Sequence, residues 1–180
     1  MDRLLWEGKR DLKISLFLSP DTKPLYKYSL FGHNQKMVTE RSNMEFIVEG
    51  EPQGKARPRF SRKSGTVYTP AKTAKYEKEI RQAYIAVGGK LIPEGSYAVV
   101  TVDAYFKIPK SYTKRKRLDC EQNINRPDKK PDIDNVLKVV LDALNKVAYE
   151  DDKQVIEVIC RKWYSRSSGF LKVQIIEDKR

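Results

Sequence analysis

The sequence has few of the residues that staple small domains or build soft-metal sites. It contains two cysteines, Cys120 and Cys160, and a single histidine, His33. Two cysteines provide neither a disulfide framework nor a zinc cluster. A single histidine argues against a histidine-based zinc site and against a Ser-His or Cys-His nucleophile. Catalysis by this chain would therefore use carboxylates, lysine, tyrosine or a hard metal ion, and we expect a reducing cytoplasm as its compartment.

Long apolar runs are missing as well. No stretch of about 18 apolar residues occurs, so the sequence predicts no transmembrane helix and no membrane partner. The apolar stretch from Ile14 to Leu18 is too short to be the core of a signal peptide. With 180 residues, 39% of them hydrophobic, the chain is long and apolar enough for one domain with a substantial core.

Acidic residues are outnumbered by basic ones. The chain has 36 Lys and Arg against 24 Asp and Glu, a formal net charge of +12, and such a surplus attracts polyanions. Nucleic acid is therefore the leading candidate partner, although any single basic run is also consistent with a solvated surface. Most of the excess falls in two predicted loops, 50–63 and 110–131. The predicted DNA contacts in these loops are Lys55, Arg57, Arg59, Arg62, Lys63, Lys114, Arg115, Lys116, Arg117, Lys129 and Lys130.

The order of apolar patterns predicts a mixed α/β (α+β) fold. Alternating residues predict strands at 44–49, 97–108, 154–164 and 170–176, whereas helical spacing predicts helices at about 69–87 and 132–145. The order β-α-β-α-β-β indicates a single domain with one mixed sheet and two main helices. Residues 1–43 show no sustained period, so we interpret them as an N-terminal appendage of unknown role and 44–180 as the folded domain.

Several acidic residues surround the second predicted helix. On a helical projection Asp134, Lys138 and Asp142 lie along one polar stripe, and Asp132 stands at the N-cap. Each of these positions also has a plain structural explanation, as a helix cap, a favourable charge at the helix dipole or a surface ion pair. Their combination with the acidic pair that follows the helix indicates a functional site instead.

That acidic pair is Asp151 and Asp152, which would return to the beginning of the helix if the next strand lies beside it. Two carboxylates about 4 Å apart repel each other by roughly 4 kcal/mol at an effective dielectric of 20. A divalent cation with oxygen ligands relieves this repulsion. The pattern therefore predicts a magnesium site with phosphoryl chemistry at a basic groove, where Lys138 would either stabilise the negative charge of the transition state or orient the water.

Two better-known binding motifs are excluded. The segment from Asp132 is not an EF-hand, because Leu137 and Ala143 occupy the positions that need Gly and Glu. The segment from Gly50 to Lys55 is not a P-loop, because the spacing of its glycines is too short and Ala56 follows the lysine.

Three runs together resemble the RusA family of Holliday junction resolvases. They are Lys130-Pro131-Asp132-Ile133-Asp134-Asn135-Val136-Leu137-Lys138, Leu141-Asp142-Ala143-Leu144-Asn145 and Asp151-Asp152-Lys153-Gln154-Val155. The N-terminal signature is similar to that of phage and prophage members, and it consists of Gly50-Glu51-Pro52, Lys55, Arg57-Pro58-Arg59-Phe60 and Tyr68-Thr69-Pro70. The resemblance spans about residues 44–177.

This resemblance implies a specific activity. It implies a homodimeric endodeoxyribonuclease that needs Mg²⁺, with Mn²⁺ as an alternative, and nicks four-way DNA junctions symmetrically during recombination and repair. It also implies that Asp132, Asp134 and Asp152 are the catalytic carboxylates and Lys138 the catalytic lysine. Asp151 is retained as a further candidate metal ligand because it adjoins Asp152.

Two rival functions remain open from the sequence. One is a nuclease with the same metal site that acts on flaps, forks or RNA. The other is a non-catalytic DNA-binding module whose carboxylates are only structural. Clustered negative charge gains nothing in a module that only binds phosphates, and this argues against the second rival.

Overall fold

The structure, a computed structural model, describes residues 43–63 and 65–179. The predicted N-terminal appendage, apart from Asn43, lies outside the described residues. The described strands are β1 (Asn43–Glu49), β2 (Arg59–Ser61), β3 (Thr66–Tyr68), β4 (Tyr97–Lys107), β5 (Val155–Ser165) and β6 (Phe170–Asp178). The described helices are α1 (Ala71–Ala86), α2 (Lys114–Glu121) and α3 (Ile133–Leu144), and a short 3₁₀ turn spans Asp152–Gln154.

The central element is a four-stranded mixed sheet in the order β1-β6-β4-β5. Strand β4 pairs with β5 in parallel, whereas the β1–β6 and β4–β6 pairs are antiparallel. A parallel pair requires a crossover connection, and the segment from β4 to β5 supplies it through α2 and α3. Strands β2 and β3 form a separate two-stranded ribbon.

One face of this sheet packs against α1 and α3 to form the core. Along β4, alternate residues point to that face, and Ala98, Val100, Val102 and Ala104 are fully buried. From α3, the buried residues include Val136, Val140 and Leu144, all at helical spacing. The predicted mixed α/β fold and its β-α-β-α-β-β frame are thereby confirmed.

The second main helix agrees closely with its prediction. Helix α3 has Asp132 and Asn145 as its N-cap and C-cap residues, which are the limits predicted from the sequence. Helix α1 ends where Gly88 adopts a positive φ of 77°, a conformation that suits glycine. It starts at Ala71, with Pro70 as the N-cap residue, two residues after the predicted start.

Both predicted basic loops contain regular structure. The first contains β2, which pairs with β3 just beyond the loop. The second contains α2, whose N-cap Thr113 accepts a hydrogen bond from the backbone N–H of Lys116. Only Cys120 of α2 is buried, so the helix lacks the apolar stripe that would reveal it in the sequence. Within residues 43–63 and 65–179, no helix is both long and apolar enough to cross a membrane.

Candidate active site

The first turn of α3 carries two exposed carboxylates. Asp132 occupies the N-cap position with extended backbone, but its side chain makes no capping hydrogen bond. Asp134 follows in the first turn, and its Oδ1 accepts one long hydrogen bond, 3.4 Å, from the amide of Asn135. In the described part of the chain neither carboxylate forms an ion pair. Because the side chain of Asp132 also makes no capping hydrogen bond, helix capping does not explain its presence at this position.

Lys138 lies one turn further along the same helix. Its side chain is exposed, and within the described residues it forms no ion pair with Asp134, although the two are four residues apart. An exposed i,i+4 pair contributes only a few tenths of a kcal/mol, so little holds the two side chains together. The ammonium group therefore remains available to a negatively charged ligand at this helix face.

Asp142, the next residue on this stripe, has a different environment. Its Oδ2 lies 2.8 Å from the Nζ of Lys55, and the same ammonium also donates to Glu77 of α1. Lys55 belongs to the segment between β1 and β2, so this three-residue cluster ties that segment to both main helices. Burial lowers the pKa of Lys55, but hydrogen bonds and charges from Asp142 and Glu77 outweigh it and raise the pKa above its ordinary value.

The backbone next to Lys55 is fixed against the start of α3. The N–H of Lys55 donates to the carbonyl of Asn135 at 2.8 Å. Gly54 packs so closely that a Cβ there would lie 2.8 Å from Pro131 Cβ and 3.0 Å from Asn135 Cβ. Only glycine allows the backbone at position 54 to pack this closely against the start of α3. This packing holds the basic segment beside the exposed carboxylates.

Near the other end of α3, the chain turns back through a buried tyrosine. The hydroxyl of Tyr149 donates to the carbonyl of Leu141 at 2.9 Å, and its ring is fully buried. Burial raises the pKa of the Tyr149 hydroxyl, and the charges of Asp152 and Asp142 raise it further. These two carboxylates therefore lie within electrostatic reach of one hydroxyl group at this end of the helix.

The two residues of the acidic pair have different environments. Asp151 caps the 3₁₀ turn: its Oδ1 accepts from the N–H of Lys153 at 3.0 Å, and the side chain of Gln154 accepts from the N–H of Asp151. The hydrogen bond from Lys153 lowers the pKa of Asp151. Asp152 is exposed and has no such capping role, so the geometry favours Asp152 over Asp151 as the candidate metal ligand.

The predicted ligands are not brought together within the described part of one chain. Strand β5 does return along α3, as expected, but Cys160 rather than Asp152 reaches the helix start, with Sγ 3.8 Å from the carbonyl of Ile133. Asp152 lies toward the other end of α3, whose 12 residues span about 18 Å. Within residues 43–63 and 65–179, no three His, Cys, Asp or Glu side chains form a group that could hold a metal ion. The metal site therefore stays a prediction.

Comparison with known proteins identifies the family. A family model described as endodeoxyribonuclease RusA matches residues 49–176. The chain belongs to the RusA endodeoxyribonuclease family. The curated "Uncharacterized protein YqaN" of Bacillus subtilis (strain 168) is 39% identical over 133 residues, which cover 68% of this chain and 88% of that protein. Family membership indicates an endodeoxyribonuclease that acts on DNA.

Ten of the eleven basic residues predicted to contact DNA in this RusA-family chain are exposed. The exposed ones are Arg57, Arg59, Arg62, Lys63, Lys114, Arg115, Lys116, Arg117, Lys129 and Lys130. Lys55 differs, because its charge is already neutralised by two carboxylates and it is largely covered. The structure favours an anchoring role for Lys55 over the DNA contact predicted from the sequence.

The segment just before Asp132 is held against β5. The guanidinium of Arg126 lies 3.4 Å from the centre of the Trp163 ring and donates to the carbonyl of Lys162. The ammonium of Lys162 in turn donates to the carbonyl of Lys129 at 2.6 Å. These contacts place the exposed side chains of Lys129 and Lys130 next to the start of α3.

Sequence reasoning missed three residues that shape the site. Glu77, Asp142 and Tyr149 were not assigned to it, yet the first two hold Lys55 and the third lies near both Asp142 and Asp152. The stripe Asp134–Lys138–Asp142 was visible as an i, i+4, i+8 pattern. Glu77 gave no signal, because its contact with Lys55 joins residues that are far apart in the chain.

Proposed function

We propose that this RusA-family protein is a magnesium-dependent endonuclease that resolves four-way DNA junctions by paired, symmetric nicks. The observation that carries the proposal is the pair of exposed carboxylates, Asp132 and Asp134, which form no ion pair within residues 43–63 and 65–179. They lie beside a basic segment whose backbone is hydrogen-bonded to the same helix turn. Family membership supports hydrolysis of DNA. The net charge of +12 supports binding to a polyanion.

The donor chemistry of the predicted ligands fits magnesium. Asp132, Asp134 and Asp152 offer only carboxylate oxygens, which Mg²⁺ and Mn²⁺ prefer over nitrogen and sulfur. When bound, the ion would supply an activated water and neutralise the scissile phosphate. In the proposal the exposed ammonium of Lys138 stabilises the additional negative charge that develops on the phosphate in the transition state.

A homodimer gives the proposal its geometry. Asp132 and Asp134 lie at one end of α3, and Asp152 lies toward the other end. A site with all three carboxylates therefore requires an Asp152 from outside the same chain. We propose that a second copy of the chain provides it, with Asp152 of each chain serving the site of its partner. An isologous dimer would then have two equivalent sites, which matches the two nicks needed to resolve a junction with near two-fold symmetry.

The substrate is tested by cleavage of labelled DNA. The wild-type protein is incubated with a four-way junction, a flap, a fork, a matched duplex and an RNA hairpin, each with Mg²⁺ and with chelator. We expect paired nicks at symmetric positions in the junction, only in the presence of the metal. Preferred cutting of the flap, the fork or RNA would replace the proposed substrate, and binding without cutting of any nucleic acid would contradict the nuclease proposal.

The shared site is tested by mixing inactive chains. In an Asp134→Asn and Asp152→Asn heterodimer, shared sites leave one site with both carboxylates intact and the other with neither. We therefore expect the mixture to regain single nicks although each variant alone is inactive. If the mixture stays inactive while native mass spectrometry of chains with tags of different length shows exchanged dimers, both carboxylates belong to a site within one chain. A monomeric wild-type protein would contradict the dimer itself.

We further propose that residues 44–180 suffice for the nuclease. The first strand of the described residues begins at Asn43, and the family match begins at residue 49. A chain that begins at Met44 should fold, by circular dichroism, and cut the same substrate as the full chain. An unfolded or insoluble product would contradict this domain boundary.

A further inference from the structure

The β2–β3 ribbon exposes apolar side chains that the proposed chemistry does not use. Phe60 and Val67 face each other across the two strands, and their exposed fractions are 64% and 67%. The next pair is Arg59 and Tyr68, and Tyr68 is also exposed. An apolar pair this exposed contributes little to folding, so its presence points to a ligand.

The charge around this pair identifies the kind of ligand. No Asp or Glu occurs from Pro52 to Tyr76, whereas Arg57, Arg59, Arg62 and Lys63 flank the aromatic ring and are exposed. A protein partner for an apolar patch would not require such a uniform positive surround, but a DNA backbone would. A two-stranded ribbon is also narrow enough to enter a DNA groove.

The root of the ribbon places it beside the candidate active site. Lys55 is fixed to α3 by its backbone hydrogen bond to Asn135 and by its ion pair with Asp142. Phe60 is five positions after Lys55, so its Cα lies within about 18 Å of the Lys55 Cα even if the segment is fully extended. That distance is comparable to a few base-pair steps, so the ring and the carboxylates of α3 can contact the same stretch of DNA.

We propose that Phe60, supported by Val67, stacks on the base pair exposed at the branch point of a DNA junction. In a continuous duplex every internal base pair is stacked on both faces, whereas a four-way junction held by the protein in its open form interrupts stacking at the branch point and leaves a base face open. Phe60 therefore provides selectivity for branched DNA, while the surrounding arginines bind any backbone. This inference rests on the proposed function, since it concerns how the proposed nuclease selects its substrate.

The test compares affinities for a four-way junction and a matched duplex, in Ca²⁺ to prevent cleavage. Phe60→Ala should weaken junction binding about ten-fold, in the range known for loss of one base-stacking contact, and leave duplex binding unchanged. Phe60→Trp should retain the preference because it keeps an aromatic face. Ile85→Ala is the matched control, because Ile85 is also an exposed apolar residue, at 59%, but lies on α1.

A second readout reports on the branch point directly. With 2-aminopurine placed there, wild-type binding should change the fluorescence, and Phe60→Ala should lose that change while circular dichroism shows an intact fold. No change with the wild-type protein, or an equal loss of junction and duplex affinity in Phe60→Ala, would overturn the inference. Wild-type protein without any junction preference would overturn the proposed function as well. A junction preference that survives in Phe60→Ala would overturn this inference alone.

Discussion

Asp134 and Asp142 are two aspartates on one stripe of α3, two turns apart, with opposite environments. The carboxylate of Asp142 lies 2.8 Å from the ammonium of Lys55 and is partly covered. The carboxylate of Asp134 is exposed and has one long hydrogen bond, 3.4 Å, to a neighbouring amide. The two aspartates therefore have different roles. A carboxylate that is paired with a lysine of the same protein (a matched charge) stabilises the fold, whereas a carboxylate without such a partner (an unmatched charge) can bind a ligand.

The same contrast occurs among the basic residues. Lys55 forms ion pairs with Asp142 and Glu77. Arg57 and Arg59, a few residues further on, have exposed side chains. One short segment therefore contains both an anchor and an exposed basic surface, which we predict to bind DNA. Substitutions at the matched and unmatched positions should have separable effects, on stability in one case and on activity in the other.

The largest expected effect is on cleavage by Asp134→Asn. If Asp134 binds the metal, the loss of its charge should lower the single-turnover rate on a junction in Mg²⁺ by several orders of magnitude. Junction binding in Ca²⁺ should stay the same or tighten, because repulsion of the phosphates is reduced. The fold should survive, since Asn is nearly as good as Asp near a helix start.

Asp142→Asn is the matched control for this experiment, because it removes the same charge from the same stripe of α3. It should retain cleavage close to that of the wild-type protein at a temperature where it is folded. Equal losses of rate in the two variants would show that the stripe acts through its overall charge, and near-normal cleavage by Asp134→Asn would remove the functional assignment.

The second expected effect is on stability. Asp142→Asn leaves the ammonium of Lys55 largely covered with one carboxylate partner fewer, so the free energy of unfolding should fall by about 1–2 kcal/mol. Asp134→Asn should change it by less than half of that amount. Urea unfolding followed by circular dichroism measures both variants. If Asp134→Asn is the more destabilised of the two, the distinction between matched and unmatched charges is wrong.

The third effect concerns the salt dependence of DNA binding. Each phosphate contact contributes a slope of about −0.9 in the logarithm of affinity against the logarithm of salt concentration. Removing two contacts by Arg57→Ala with Arg59→Ala should therefore make the slope shallower by roughly 2 units. Lys55→Met should leave the slope unchanged, because its charge is already neutralised. A shallower slope in Lys55→Met would return Lys55 to the DNA-binding surface.

The smallest effect is a pH dependence of stability. The pKa of Lys55 is raised above its ordinary 10.5, so the folded state holds this proton more tightly than the unfolded state. Its contribution is complete below pH 10.5 and is lost as the pH rises through the folded-state value. The difference in unfolding free energy between the wild-type protein and Lys55→Met should therefore shrink above pH 10.5. A constant difference from pH 9 to the alkaline limit of folding would contradict this.

The predictable parts of the fold were those set by local pattern. Helix α3 was predicted at about 132–145 and spans Ile133–Leu144, because its apolar period is strong. Strand β4 was predicted from its alternation, with one face fully buried as expected. Helix α2 was missed because its sequence is almost entirely charged and only Cys120 is buried, so no period marks it.

The site was predictable in residue type but not in arrangement. The contact between Lys55 and Asp142 joins two segments that only the packing of the β1–β2 connection on α3 brings together. The position of Asp152 depended on how tightly the chain turns after α3, and the turn around Tyr149 keeps it near the helix end. Spacing in the sequence fixes neither of these, because both follow from tertiary contacts.

Metal binding at the start of α3 is the central claim, and titration with Mn²⁺ followed by electron paramagnetic resonance measures it without requiring cleavage. The wild-type protein and Asp142→Asn should bind the ion with similar affinity, and Asp134→Asn should lose that binding, since a ligand charge is absent. Binding by Asp134→Asn that equals the wild type, with a normal fold by circular dichroism, would contradict the account.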